Sequence, residues 1–176
     1  MEDTTIGNQQ VRLDELAWLA GVIDGEGTIN ITKKLGSKKR ARKDGTRKMN
    51  YWVFLQVTNT NEQLILKVIE IMKKLNANPY VWEKKDTDKW KKAYQLSLQR
   101  MVKVKRVVEK INPYLIAKKR QAELVLKFID SRLSKFQKGK GKTNPYTEEE
   151  MKWINEIKRL NHRGNLRDYM PDTLTK

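Results

Sequence analysis

An apolar run with no polar face ends abruptly in two acids, and this junction constrains the fold more than any other stretch. Residues 16–23 read Leu-Ala-Trp-Leu-Ala-Gly-Val-Ile, and Asp24, Gly25, Glu26 and Gly27 follow at once. Residues 13–23 carry helical signals, with Asp14 near the start and Glu15 in the first turn. A helix that is apolar all round must be buried on more than one side. Ala17, Ala20 and Gly21 supply a small-residue side that a second helix can approach closely. The end of such a helix is already negative, because its last carbonyls are unpaired and the macrodipole points that way. Carboxylates added there are unfavourable unless something positive joins them, and a divalent cation meets that need.

Charge narrows the class of partner. The 176 residues hold 38 Lys and Arg against 21 Asp and Glu, a formal net of +17, which points to a polyanion, nucleic acid before an anionic membrane. A chain of this length buries one core, so one domain is expected over residues 1–176, with its core at about 12–137 and a helical extension at about 146–176. The absence of cysteine excludes disulfides, thiolate metal sites and cysteine nucleophiles. No apolar run is long enough to span a bilayer, and the polar, slightly acidic start is unlike a secretory or mitochondrial signal. An intracellular, non-secreted protein without a membrane partner is the expectation.

Beyond the first helix, residues 28–35 alternate as a strand and residues 50–58 as a second, with Tyr51, Val53, Leu55 and Val57 sharing one face. Between them, residues 33–48 carry nine Lys or Arg and one Asp, a long basic hairpin connection. Residues 61–75 have helical period, and residues 79–84 and 91–98 form another strand pair. A helix ends before Pro113, a longer one covers about 117–136, and a Gly- and Lys-rich linker follows. Thr147 with Glu150 then forms a capping box for a last helix that stops near Gly164. The order αββαββα plus two helices predicts an α+β fold whose antiparallel sheet is covered on one face. The other face would collect Asn30, Thr32, Lys34, Asn50, Trp52, Gln56, Trp82, Lys84 and Gln95, a mixture suited to base edges and phosphates.

Several other motifs carry no chemistry. From Asp24, the sixth and twelfth positions are Ile29 and Leu35, where a calcium loop needs Gly and Glu. Gly141-Lys142-Thr143 lacks the earlier glycine of a phosphate loop, because Phe136 stands there. His162, the single histidine, sits in a polar stretch and reads as a solvated residue, which removes histidine-dependent chemistry.

The nonamer from Leu19 to Gly27 resembles the LAGLIDADG signature of homing endonucleases, with Val22 for Leu, Gly25 for Ala and Glu26 for the second Asp. Leu55-Gln56-Val57-Thr58, the stretch from Pro113 to Ala122 and the element order extend the likeness over most of the chain. The motif occurs once, and the resemblance therefore implies the homodimeric type, with a saddle-shaped sheet facing double-stranded DNA. It implies a dimer interface through Trp18, Ala20, Gly21, Asp24 and Gly25. It also implies Mg²⁺ held by Glu26 and the Gly25 carbonyl, with Mn²⁺ or Ca²⁺ able to take the same place. Asp24 matches an acidic position that is usually structural. Lys118, and less so Lys119, matches a basic residue near the scissile phosphate; Asn59 and Gln63 match residues that organise active-site water. The basic connection (Lys38, Lys39, Arg40, Arg42 and Lys48) and Phe54 join the DNA face.

A strand rises about 3.3 Å per residue, close to the base-pair step, so each subunit would cover about ten base pairs and a dimer a pseudo-palindrome of about twenty. The implied reaction is metal-dependent hydrolysis of one phosphodiester on each strand, as in intron homing, with an organellar, prokaryotic or phage gene. A maturase that binds intron RNA, and a DNA-binding regulator that does not cut, remain as alternatives on the same fold.

Overall fold

In a computed structural model of the chain, the described residues are 10–36, 44–47, 49–84, 92–135 and 145–162. The elements run α1 (Leu13–Glu26), β1 (Gly27–Leu35), β2 (Met49–Asn59), α2 (Glu62–Lys74), β3 (Tyr80–Lys84), β4 (Ala93–Gln99), α3 (Met101–Ile111), α4 (Lys119–Ser134) and α5 (Glu148–Leu160). A short 3-10 turn, Asn112–Tyr114, joins α3 to α4 and carries Pro113 near its start, where a missing N–H costs nothing. The α+β reading and the αββαββα order hold.

The two hairpins form one antiparallel sheet in the order β1-β2-β4-β3, so β2 and β4 are central and β1 and β3 are edges. Ile29 pairs with Leu55, Ile31 with Val53, Leu55 with Leu98 and Val57 with Leu96. Because side chains alternate, this register sends all of these apolar residues to one face, where they are buried. Ile23, Val68, Ile71, Val107, Val108, Val125 and Phe128 from the helices close over them. Among the described residues, no helix covers the opposite face.

The first helix outruns its sequence expectation by almost a turn, reaching Glu26 through Gly25. The N–H of Gly27 donates to the carbonyl of Ile23, holding the last turn closed. A Cβ at Gly27 would lie 2.7 Å from that oxygen and 2.8 Å from the Ile23 Cα, so only glycine lets β1 leave this close to the helix. The other end is locked by Glu15, which is buried. Its carboxylate accepts from Lys74 Nζ at 2.8 Å and Lys67 Nζ at 3.2 Å on α2, and from the Arg12 amide at 3.2 Å. The hydrogen bond from Lys74, followed by that of the Arg12 amide, holds the Glu15 carboxyl down at about 2.

The predicted capping box at α5 is present: the Glu150 amide donates to Thr147 Oγ1 at 3.3 Å, and the Thr147 amide to Glu150 Oε2 at 2.9 Å. Glu150 is fully buried, and burial opposes its charge. Hydrogen bonds from Ser131 Oγ, the Thr147 amide and Lys135, with the Arg132 charge, outweigh that and hold its pKa below the ordinary value. This clasp fastens α5 to α4. Tyr146 ties the same region to the sheet: its hydroxyl accepts the Tyr51 N–H at 3.0 Å, and the two rings meet edge to face. No helix among the described residues is long and apolar enough to cross a membrane.

Candidate functional site

The acidic end of α1 meets the turn ahead of α4. Asp24 spends its carboxylate on backbone amides there: Oδ2 accepts from Ile116 at 2.7 Å and Ala117 at 3.2 Å, and Oδ1 from Lys118 at 2.8 Å. These N–H groups precede a helix and have no intrahelical acceptor, so a carboxylate from another helix serves as their cap. This is why α4 begins at Lys119, two residues later than its sequence pattern suggests. Asp24 is thereby a structural residue of its own chain, half-buried, with its carboxylate engaged by the turn ahead of α4.

The same turn delivers Lys118. Its Nζ donates to the carbonyl of Asp24, placing a cation at the negative C-terminal end of α1. Partial burial pushes the Lys118 ammonium below the ordinary lysine value, while the charges of Asp24 and Glu26 oppose that shift. Glu26 is exposed, makes no hydrogen bond among the described residues, and interacts with Lys118 through its charge. Lys118 thus stands at the same end of α1 as Glu26, two residues beyond the carbonyl that its ammonium holds. Gly25 is exposed beside it, with open space where a Cβ would sit.

Asn59 closes β2, two residues beyond the Gly27–Val57 pair, which sets it at the α1 end of the sheet. Its side-chain oxygen accepts the Asn61 amide at 2.8 Å, shaping the turn into α2. Gln63 is exposed on the first turn of α2 and makes no side-chain hydrogen bond among the described residues. Geometry thus gathers Glu26, Gly25 and Lys118, sets Asn59 nearby, and gives Gln63 no tie to them.

The uncovered sheet face carries Asn30, Thr32, Lys34, Asn50, Trp52, Phe54, Gln56, Trp82 and Lys84 at least partly exposed, as alternation predicts. Gln95 differs. It sits in central β4 between Thr58 and Trp82 and is buried, a floor residue rather than a protruding one. The same register adds residues that the sequence reading did not name: Thr28, Thr58, Ser97, Gln99 and Tyr80. The polar alternation Gln95, Ser97, Gln99 was the available signal. Lys38, Lys39, Arg40, Arg42 and Lys48 lie outside the described residues.

On the outer side of α1, Ala17, Trp18, Gly21 and Gly25 are exposed at helical spacing. Ala20 does not join them. It is fully buried in this chain's own core, one position round the helix from the face assigned to it. Among the described residues, no three carboxylate or histidine side chains converge on one point.

The sequence matches the model of the LAGLIDADG-like domain over residues 14–112, more than half of the chain and the part that holds α1, the sheet, α2 and α3. The chain belongs to the LAGLIDADG-like family. No curated protein sequence matches it. Among solved structures, this LAGLIDADG-like chain is similar to the homing endonuclease I-CvuI in complex with its target in the presence of Ca. The TM-score is 0.57 and the identity 23%, over 87% of this chain and 85% of that one. The archaeal intron-encoded homing endonuclease I-Vdi141I, complexed with DNA, gives a TM-score of 0.59 at 16% identity over 86% and 87% of the two chains. For I-SmaMI bound to cleaved DNA the TM-score is 0.55 at 15% identity, with 94% of this chain matching 47% of that one. At these identities the likeness is one of fold, and it is the LAGLIDADG homing endonuclease fold.

Proposed function

We propose that the protein is a site-specific DNA endonuclease that works as a homodimer and cuts both strands of a long pseudo-palindromic duplex. The observation that carries this reading is that Lys118, from the turn ahead of α4, sets its ammonium on the Asp24 carbonyl at the end of α1 that also exposes Glu26, beside an open polar sheet face. Lys118, held at the helix end, supplies positive charge next to a phosphate, where a fixed cation stabilises charge that develops during hydrolysis. The sheet face supports recognition, because its polar side chains at strand spacing match base edges in a major groove.

Glu26 and the Gly25 carbonyl are hard oxygen donors, exposed and beside a helix terminus that favours cations, and they fit a divalent ion such as Mg²⁺. When bound, such an ion offsets phosphate charge and makes a nucleophile available at neutral pH, which suits a site without histidine. One chain offers a single uncommitted carboxylate at this end, since Asp24 is engaged by three amides. Two chains packed through Ala17, Trp18, Gly21 and Gly25 would bring a second Glu26 towards the first. The match of nearly all of this chain to about half of I-SmaMI supports a unit that works in pairs. The DNA in the I-CvuI and I-Vdi141I structures supports duplex DNA as the partner, and the Ca in the former supports a divalent ion.

The test is incubation of the full chain with a randomised duplex library and Mg²⁺, beside Glu26→Gln. Metal-dependent double-strand breaks at one selected sequence are expected, absent in Glu26→Gln while duplex binding is kept. Cutting that persists in Glu26→Gln would overturn the ligand assignment, and the lack of any cutting would overturn the enzymatic reading.

A further inference from the structure

The sheet has a second distinctive end, away from Glu26. Strand β4 makes its last pair at Gln99, opposite Phe54, while β2 continues back to Met49 with no strand partner on that side among the described residues. The strip left open deepens into a cavity of about 410 Å³ lined by Tyr51, Trp52, Val53, Tyr80, Gln99, Arg100 and Met101. Trp52 and Tyr80 are large rings left 41% and 54% exposed, on strands that share this face. Lys34 sets its ammonium 3.9 Å from the centre of the Trp52 ring, which steadies the indole and adds charge. At the mouth stands Arg100, exposed, with no side-chain hydrogen bond or ion pair among the described residues.

Arg100 also has an unusual backbone. Its φ is +74°, a left-handed conformation that strains a non-glycine residue. The carbonyl of Arg100 accepts the amides of Lys103 and Val104 at 3.0 Å each, so the strained residue is pinned as the start of α3. The backbone that carries this uncommitted guanidinium is thus fixed beside two exposed rings.

This chemistry suits a ligand with a flat π face and a phosphate. A base inside a duplex offers only its edge to a protein, because its faces are covered by its neighbours in the stack. An unstacked base offers its faces, and ring-to-base stacking beside a positive groove is how single strands are held. The net charge of +17 favours a nucleic-acid ligand over an uncharged aromatic one.

We propose that the cavity between Trp52 and Tyr80, with Arg100 at its mouth, binds an unpaired nucleobase and its phosphate, giving the chain an affinity for single-stranded nucleic acid beyond its reading of duplex. It stands apart from the cleavage reading, since neither Glu26 nor metal takes part.

The experiment measures fluorescence anisotropy of the full chain with a labelled single strand of about twelve nucleotides, long enough to fill such a site. The arms are DNA, RNA of the same sequence, the blunt duplex, and an abasic strand with the same phosphates. The DNA and RNA strands are expected to bind at least about tenfold tighter than the abasic strand, and the tighter of the two names the natural source. Tyr80→Leu should lose about tenfold on the single strand, and Tyr80→Phe should restore it. Equal affinity for the abasic strand would overturn the proposal, since charge alone would then explain binding. So would a Tyr80→Leu protein that is unchanged on the single strand. Should Tyr80→Leu prove unstable, the abasic arm on the unaltered chain decides by itself.

Discussion

The two ends of α1 each carry acids, and they use them in opposite ways. At the N-terminal end, Glu15 is buried and fully engaged by two lysines and an amide, and it faces nothing but its own chain. At the C-terminal end, Asp24 is engaged by three amides while Glu26, two residues on, makes no side-chain hydrogen bond among the described residues and is open to solvent. An acid near a helix N-terminus is favoured by the dipole, and one at the C-terminus is opposed by it. The favoured site is the one committed to stability. The opposed site keeps one carboxylate unspent, held in place by Asp24 and Gly27, and that is where a cation and a phosphate would be welcome.

Substitutions can break this division or sharpen it. The largest effect after Glu26→Gln is expected from Lys118→Met, which removes the cation beside Glu26: cutting should fall about a hundred- to a thousand-fold, with the melting midpoint almost unchanged. Single-turnover rates on a cognate duplex measure this, and an unchanged rate would separate Lys118 from the chemistry. Asp24→Asn should move both quantities. It leaves three amides with a poorer acceptor, costing about 1–2 kcal/mol of stability, and frees the turn that carries Lys118, slowing cutting about ten- to a hundred-fold. Denaturant melts and rate assays on the same preparation test the pair of effects together.

Gly27→Ala should cost about 1–3 kcal/mol, because its Cβ meets Ile23 and the α1 to β1 junction has to open. Urea unfolding reads the loss. The smallest effect belongs to the other end of the helix. Glu15→Gln should lower the melting midpoint at neutral pH and leave the cutting rate alone. The Glu15 carboxyl is held at about 2, below its ordinary value of 4.5, so its stabilisation is complete above that ordinary value. It is lost as pH falls through the folded-state value. The gap between the melting midpoints of Glu15→Gln and the unaltered chain should therefore narrow from pH 4.5 towards about 2. A gap that stayed constant across that range would show that Glu15 acts through packing rather than charge.

Local patterns carried most of the fold. Alternation in residues 50–58 assigned the two faces of β2, and the Thr147–Glu150 spacing marked the start of α5, because each signal lies within a few residues of its partner. The motif named Glu26 and Gly25 as candidates, and the structure exposes both at the end of α1. What stayed hidden depends on long-range partners. Asp24 finds the Ile116 amide 92 residues away, and no spacing rule spans that distance. Ala20 was assigned to the outer face because an all-apolar helix has no polar stripe to orient it. Gln95 was read as protruding because alternation gives a side of the sheet, not the height of the neighbours that wall it in.

The C-terminal helix has one contact whose meaning extends beyond the single molecule. Asn161, just past α5, donates its side-chain amide to the Ile29 carbonyl at 2.9 Å, on a strand that pairs with β2 alone. An edge strand with free backbone groups invites another chain to add itself, and covering it is one of the ways proteins prevent that. Trimming the chain ahead of α5 would uncover that rail, and the remaining body is expected to aggregate, which light scattering would read.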